Sequence, residues 1–287
     1  MDIKAILMGL AFAAMWSSAF TSARVIVEYA PPLSALALRF LISGLLGVAI
    51  AWALGQSAQL NARQWKAVLI FGICQNALYL GLNFVAMQTI QASLAAIIAS
   101  TMPLLVALAG WLVFGTKVRP LGVAGLVAGI VGVVLIMGAR LQGGVDPFGL
   151  ALLVIGVISL TVATLAVVGA SSGGNVLMIV GLQMLVGSAL LWVPALAFET
   201  LNITWNWQLV VAFVYTTLVP GLAATLVWFL LVGRIGTVKA STFHFLNPFL
   251  GVAIAAVVLG EAIGVLDILG VAIIAAGILA VQLSKQA

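Results

Sequence analysis

Charge is what this sequence has least of. Only 6% of its 287 residues are Asp, Glu, Lys or Arg, against about a quarter in an ordinary soluble domain. So few ionic groups cannot build a water-facing surface. The hydrophobic share of 65% and a mean hydropathy of +1.34 exceed what a core absorbs, because much of any folded protein's surface stays in contact with solvent. Lipid is therefore the solvent for most of the chain. Cysteine is nearly absent too: Cys74 stands alone, which excludes an internal disulfide and any cysteine-based metal cluster. With one histidine, and no carboxylate near the middle of an apolar run, there is no nucleophile–base pair and no metal-ligand set. A Walker-type glycine loop is also missing. The reading is a non-enzyme that needs no cofactor and no metal. Its net charge of +5 is not a nucleic-acid footprint, since the basic residues fall singly or in pairs in short connections.

What is there is a series of continuous apolar runs. Crossing the hydrocarbon core takes about 20 residues of helix, whereas barrel strands would show alternating segments of about 10. Helical spans are predicted over 4–27, 33–54, 66–88, 92–114, 120–138, 148–169, 176–198, 208–233, 238–259 and 264–283. The start Met1-Asp2-Ile3-Lys4 resembles a signal peptide, but the apolar segment behind it is too long, so it reads as a retained first helix. No connection has room for an extramembrane domain. Lys4, Arg63, Lys66, Lys117, Arg119, Arg234, Lys239 and Lys285 fall on one side, against Arg24 and Arg140 on the other. That bias puts both termini in the cytoplasm.

The chain also repeats itself. Pro103 precedes Gly115 by twelve residues, and Pro248 precedes Gly260 by twelve, an offset of 145 in both cases. The same offset aligns Thr116 with Glu261, Leu121 with Leu266, Gly125 with Gly270, Gly132 with Gly277 and Arg140 with Lys285. Helices four and five thus recur as nine and ten, and residues 1–141 and 147–287 form two halves. A five-helix unit has an odd number of crossings, so its copy enters the bilayer from the opposite side. This is the inverted repeat of secondary transporters, whose site lies near the midplane at the repeat interface. The expected fold is an all-α membrane protein of ten transmembrane helices, two inverted five-helix repeats around a central cavity.

Met15-Trp16-Ser17-Ser18-Ala19-Phe20 resembles the opening helix of the EamA family in the drug/metabolite transporter superfamily, which usually reads Met-Trp-Gly-Ser-Asn-Phe. Ala37-Leu38-Arg39-Phe40-Leu41-Ile42 resembles its second helix, and Pro103 through Gly115 and Pro248 through Gly260-Glu261 resemble the proline helices that close each half. Ser17, Ala19 and Thr116 depart from the pattern. The resemblance implies ten helices around a cavity, with helices five and ten outside. It also implies transport, nearest to the branch of bacterial inner-membrane exporters of aromatic and other neutral amino acids.

Polar groups inside a membrane are costly and tend to face the bundle interior, so they mark candidate site residues. In helix three, Asn76, Tyr79 and Asn83 share a face at spacings of three and four, with Gln75 adjoining. They either line a substrate path or glue helices together. In helix nine, Ser241, His244 and Pro248 share a face with Asn247. His244 is a carboxylate or proton contact, or else a structural neutral ring. Pro248, and Pro103 with Met102 in the partner half, break backbone hydrogen bonding. In helix one, Trp16 and Phe20 lie four apart with Ser17 beside them, suited either to an apolar substrate or to packing. Tyr215 interrupts helix eight. Arg39 lies about six residues, roughly 9 Å, into helix two. It reads as a snorkelling side chain or a partner of Glu28, with anion binding as the alternative. Helices five and ten are nearly free of polar groups, and Gly125-xxx-Gly129 is a close-packing pattern that leaves monomer and homodimer both open.

These residues fit export of small neutral solutes, amino acids above all, by alternating access. Phosphorylated metabolites such as sugar phosphates or nucleotide sugars would need several cavity cations. A cationic drug would need a buried carboxylate. A scaffold without transport would have no use for inverted halves.

Overall fold

Prolines set where several helices start. Pro32, Pro120 and Pro147 each occupy a first helical turn, where the missing N–H costs nothing. The computed structural model describes residues 2–115, 117–166 and 174–284, with Phe229, Thr237 and Val238 as backbone only. Thr116, Ser171 and Lys285 lie outside the described residues. Ten helices are long and apolar enough to cross a membrane: α1 (Ile3–Tyr29), α2 (Pro32–Ala53), α3 (Ala62–Ala86), α4 (Ala92–Phe114), α5 (Pro120–Gln142), α6 (Pro147–Ala166), α7 (Val176–Phe198), α8 (Trp207–Ile235), α9 (Lys239–Leu259) and α10 (Val265–Ser284). No strand occurs among the described residues. Helix α3 starts earlier than its apolar run because Asn61 and Gln64 form a reciprocal cap, each side chain accepting the other's backbone N–H at 2.9 Å.

Four helices are not regular inside. Helix α3 is π-helical over Phe71–Leu80, and α8 over Val219–Ala223. Helix α4 breaks at Thr101 and resumes as Met102–Phe114. Helix α9 tightens to a 3₁₀ stretch over Thr242–Leu246 and resumes as Asn247–Leu259. The two resumed segments match closely. Each has 13 residues with proline in its first turn, and each ends on a left-handed glycine, Gly115 at φ +63° and Gly260 at φ +68°. The sequence repeat is thus a repeat of geometry, and glycine is needed where φ is positive.

The chain packs as two compact units. The first comprises residues 1–21, 89–151 and 223–287, and the second residues 22–88 and 152–222. Each unit draws segments from both halves of the sequence, and each contains repeat-equivalent helices lying antiparallel. In the first unit α5 packs on α10. A Cβ at Gly125 would lie 2.6 Å from the Gly277 carbonyl oxygen, and one at Gly277 2.6 Å from that of Gly125. A Cβ at Gly132 would meet the Gly270 oxygen at 2.9 Å, and one at Gly270 the Gly132 oxygen at 3.1 Å. Partner numbers fall as the chain advances, so the helices run in opposite directions. The 145 offset maps this contact set onto itself, as a two-fold pseudo-symmetry requires. Ser284, Leu104 and Gly277 also crowd this glycine stripe, so the face is used up inside the unit.

In the second unit α2 and α7 are the antiparallel equivalents. The Ser188 hydroxyl donates to the Ala37 carbonyl at 2.8 Å. Gly44 and Gly181 approach so closely that a Cβ on either would sit 3.0 Å from the other's carbonyl oxygen. The Glu199 carboxylate caps the start of α2, accepting the Leu33 and Ser34 N–H groups at 2.7 and 2.8 Å. Glu261 does the same for α4 in the first unit, accepting from Ala92 and Ser93 at 2.7 and 2.9 Å. Antiparallel equivalents in both units make the repeat inverted.

Candidate functional site

The 3₁₀ stretch of α9 decides where its polar groups point. Pro248 has no N–H to give the His244 carbonyl four residues earlier, and the backbone N–H of Asn247 takes that carbonyl instead. The tighter turn brings the His244 ring among three aromatic rings of the same unit. Phe12 lies edge-on to it at 5.4 Å, Trp16 edge-on at 6.4 Å and Trp228 tilted at 5.3 Å. Phe12 itself packs 4.7 Å from Trp228 and 5.9 Å from Trp16.

Asn247 ties this cluster to α1. The Ser17 hydroxyl donates to its backbone carbonyl at 3.3 Å. Its Nδ2 lies 3.0 Å from His244 Nδ1. An amide nitrogen only donates, so Nδ1 accepts and the ring proton sits on Nε2. The Oδ1 atom of Asn247 is buried without a partner among the described residues, as are the hydroxyl oxygens of Thr21 and Ser93 in the same unit. Unsatisfied buried polar atoms are rare and ask for a reason. Aromatic faces with one unspent acceptor and one imidazole donor suit a solute with an apolar body and a small hydrogen-bonding head.

The other residues singled out by sequence distribute as follows. The first unit also holds Phe20 and Pro103, both buried, and Met102, half-buried at the α4 break. Ser241 spends its hydroxyl on Gln282 Oε1 of α10 at 3.2 Å. Gln282 and Asp267 are buried, so α10 carries more polar function than its hydropathy suggests: Asp267 holds Arg140 of α5 in a 2.8 Å salt bridge, and Gln91 joins that arginine. The second unit holds Asn76, Tyr79 and Asn83, all buried, and Gln75, half-buried. The Asn76 amide donates to the Gln183 carbonyl of α7 at 2.9 Å, and Asn83 to the Tyr79 carbonyl at 2.7 Å. Tyr215 is exposed, whereas its neighbours Thr216 and Thr217 are buried.

Arg39 corrects the sequence expectation. It neither reaches the surface nor pairs with Glu28. It is 6% exposed, donates from Nε to the Thr216 carbonyl at 3.2 Å, and lies 5.1 Å from the Phe40 ring centroid. The reason is Pro220, which leaves the Thr216 carbonyl four residues earlier without its helical donor. Sequence reasoning also missed Phe12 and Trp228. Phe12 was within reach, since it continues the Trp16–Phe20 spacing by one more turn. Trp228 sits in a helix with no matching pattern and carried no signal.

Comparison with known proteins agrees with this architecture. The EamA-like transporter family matches twice, over residues 3–138 and 147–283. The uncharacterized transporter YvbV of Bacillus subtilis is 26% identical, over 95% of this chain and 90% of its own. The uncharacterized inner membrane transporter YedA of Escherichia coli K12 is 27% identical, over 94% and 88%. The aromatic amino acid exporter YddG of Ancylobacter novellus is 31% identical, but over only 49% of this chain and 48% of its own. A solved crystal structure shares the fold, with a TM-score of 0.72, 22% identity and coverage of 100% and 99%. With both halves of the sequence matched and ten membrane-length helices in place, the chain is a multi-pass membrane transporter and belongs to the EamA-like transporter family.

Proposed function

We propose that this transporter exports small neutral metabolites, amino acids with aromatic or apolar side chains first among them, across a bacterial inner membrane. The observation that carries the reading is the cluster of Phe12, Trp16 and Trp228 around His244, with the unspent Oδ1 of Asn247 beside it. Rings receive an apolar side chain, and a buried amide oxygen receives an ammonium or another N–H donor. Trp16, Ser17, Phe20, Met102, Pro103, Ser241, His244, Asn247 and Pro248 form the substrate surface of the first unit. Gln75, Asn76, Tyr79, Asn83 and Tyr215 are the second unit's candidates. Residues 1–141 and 147–287 act as the two exchanging repeats of an alternating-access carrier, with both chain ends in the cytoplasm. The partial relative named as an aromatic amino acid exporter supports the substrate class, and the Escherichia coli relative named as an inner membrane transporter supports the location.

Counterflow tests this directly. Proteoliposomes loaded with unlabelled phenylalanine should accumulate labelled phenylalanine or leucine, with and without a pH gradient. Absence of counterflow for every neutral amino acid tried would overturn the substrate class.

A further inference from the structure

We propose that Arg39 is a carboxylate-binding site within the second unit, taking a monocarboxylate. The proposal rests on the function above only for the choice of an amino acid as probe, and not for the anion itself. Arg39 lies seven residues, roughly 10 Å, along α2 from Pro32 and is 6% exposed. A buried charge is expensive unless it is paired. The ion pairs among the described residues are Arg140–Asp267 and Arg234–Asp2, and neither reaches Arg39.

Its one hydrogen bond, from Nε to the Thr216 carbonyl, does not account for the charge. That carbonyl is left over by Pro220, and capping it needs a donor, not a cation. Ser43 shows as much one turn along α2, where an uncharged hydroxyl serves the next carbonyl, that of Thr217, at 3.3 Å. The Phe40 ring offers only a cation–π contact, weaker than the ionic partner a desolvated guanidinium calls for. Neither Nη nitrogen donates a hydrogen bond among the described residues, so the planar fork that matches a carboxylate with two parallel bonds stands unused.

The π-helical turn places Gly221 beside Arg39, and a Cβ on it would lie 3.4 Å from Arg39 Nη2 and 3.4 Å from Ser43 Oγ. A side chain at position 221 would crowd the guanidinium and the Thr216 carbonyl oxygen, which that Cβ would meet at 3.1 Å, so glycine keeps the Nη atoms clear of a competing side chain. A single cation suits a monocarboxylate. A phosphate would call for further basic groups, and no second Lys or Arg is paired with the Arg39 site among the described residues.

The test uses the purified full chain in detergent and three probes: phenylalanine, hydrocinnamate, which keeps the acid and lacks the amine, and phenylalaninamide, which keeps the amine and lacks the acid. Melting temperature is followed by titration. Arg39→Gln keeps an N–H for the Thr216 carbonyl and removes the charge, while Arg39→Lys keeps the charge and loses the fork. Both acids should stabilise the wild-type protein and the amide should not. Arg39→Gln should lose about tenfold or more in apparent affinity for both acids, with Arg39→Lys in between. The proposal is overturned if Arg39→Gln binds the acids as wild type does, if neither acid stabilises the wild type, or if the amide stabilises it equally. Should Arg39→Gln fail to fold, the wild-type contrast between acid and amide still decides. Hydrocinnamate binding without amino-acid counterflow would sink the function and keep the site.

Discussion

At the scale of single residues, the clearest question is whether His244 serves packing or substrate, because both uses meet on one ring. Its contacts with Phe12, Trp16 and Trp228 are each worth about 0.5–1.5 kcal/mol. His244→Ala should therefore cost about 2–3 kcal/mol, read as a lower melting temperature. His244→Phe keeps the ring contacts but strands the buried Asn247 amide that donates to Nδ1, so it should cost about 1–3 kcal/mol, and it removes the Nε2–H donor. If that donor meets substrate, folded His244→Phe protein should show roughly tenfold weaker apparent affinity in phenylalanine counterflow. Unchanged counterflow would confine His244 to packing. The residues themselves were legible in the sequence, because polar groups in an apolar run stand out. Their bonding was not. Whether Asn76 faces a solute or the Gln183 carbonyl depends on which backbone groups lie across the packing surface, and a single chain's spacing does not contain that. Arg39 shows the same limit. Glu28 looked close along the chain, but the carbonyl that Pro220 strands is 177 positions away.

At the scale of helices, the repeat was read correctly from glycines and prolines because they mark backbone events. Gly115 and Gly260 end helices, and Pro103 and Pro248 restart them. The 3₁₀ stretch of α9 and the π-helical turn of α8 go with Pro248 and Pro220, whereas the π-helical stretch of α3 contains no proline to mark it. The glycines of α5 and α10 give a quantitative check. A Cβ at Gly277 would press on the Gly125 oxygen at 2.6 Å and the Gly129 nitrogen at 2.8 Å, while one at Gly138 meets nothing within 4 Å. Gly277→Ala should cost about 1–3 kcal/mol through overpacking. Gly138→Ala should be neutral or stabilising by up to about 1 kcal/mol. Equal melting temperatures for the two variants would contradict the close approach of the helices. The start of α6 offers a pH-dependent check. The Thr89 hydroxyl, donating at 2.7 Å, and the N–H groups of Phe148 and Gly149 hold Asp146 below the usual carboxylate range. A depressed folded-state pKa stabilises above the unfolded value of about 3.9 and loses that stabilisation as pH falls below it. Asp146→Asn should therefore flatten the decline of melting temperature between about pH 5 and pH 3, and an unaltered acid limb would remove the residue from that role.

At the scale of the molecule, the alternation of helix ends is written into contacts inside each unit. In the second unit, the Thr204 N–H donates to the Tyr29 carbonyl and Glu199 holds Leu33 and Ser34, so the α1–α2 and α7–α8 connections share an end. The Ser57 N–H donates to Asn175 and the Met178 N–H to Gln56, so the α2–α3 and α6–α7 connections share the other. In the first unit, Asp2 pairs with Arg234 at one end, and Arg140 meets Gln91 and Asp267 at the other. Both basic residues on the minority side have structural employment: Arg140 is neutralised by Asp267, and Arg24 donates to the Met87 carbonyl at the end of α3 at 2.6 Å. In a Cys74→Ser background, an impermeant maleimide should label exposed Asn202→Cys in intact cells and exposed Ser57→Cys only after permeabilisation. The reverse pattern would keep the inverted repeat and turn the whole protein over, placing eight basic positions outside. Labelling of both sites from one face would break the alternation on which the repeat depends, since two repeats of five crossings cannot put those two connections on the same side.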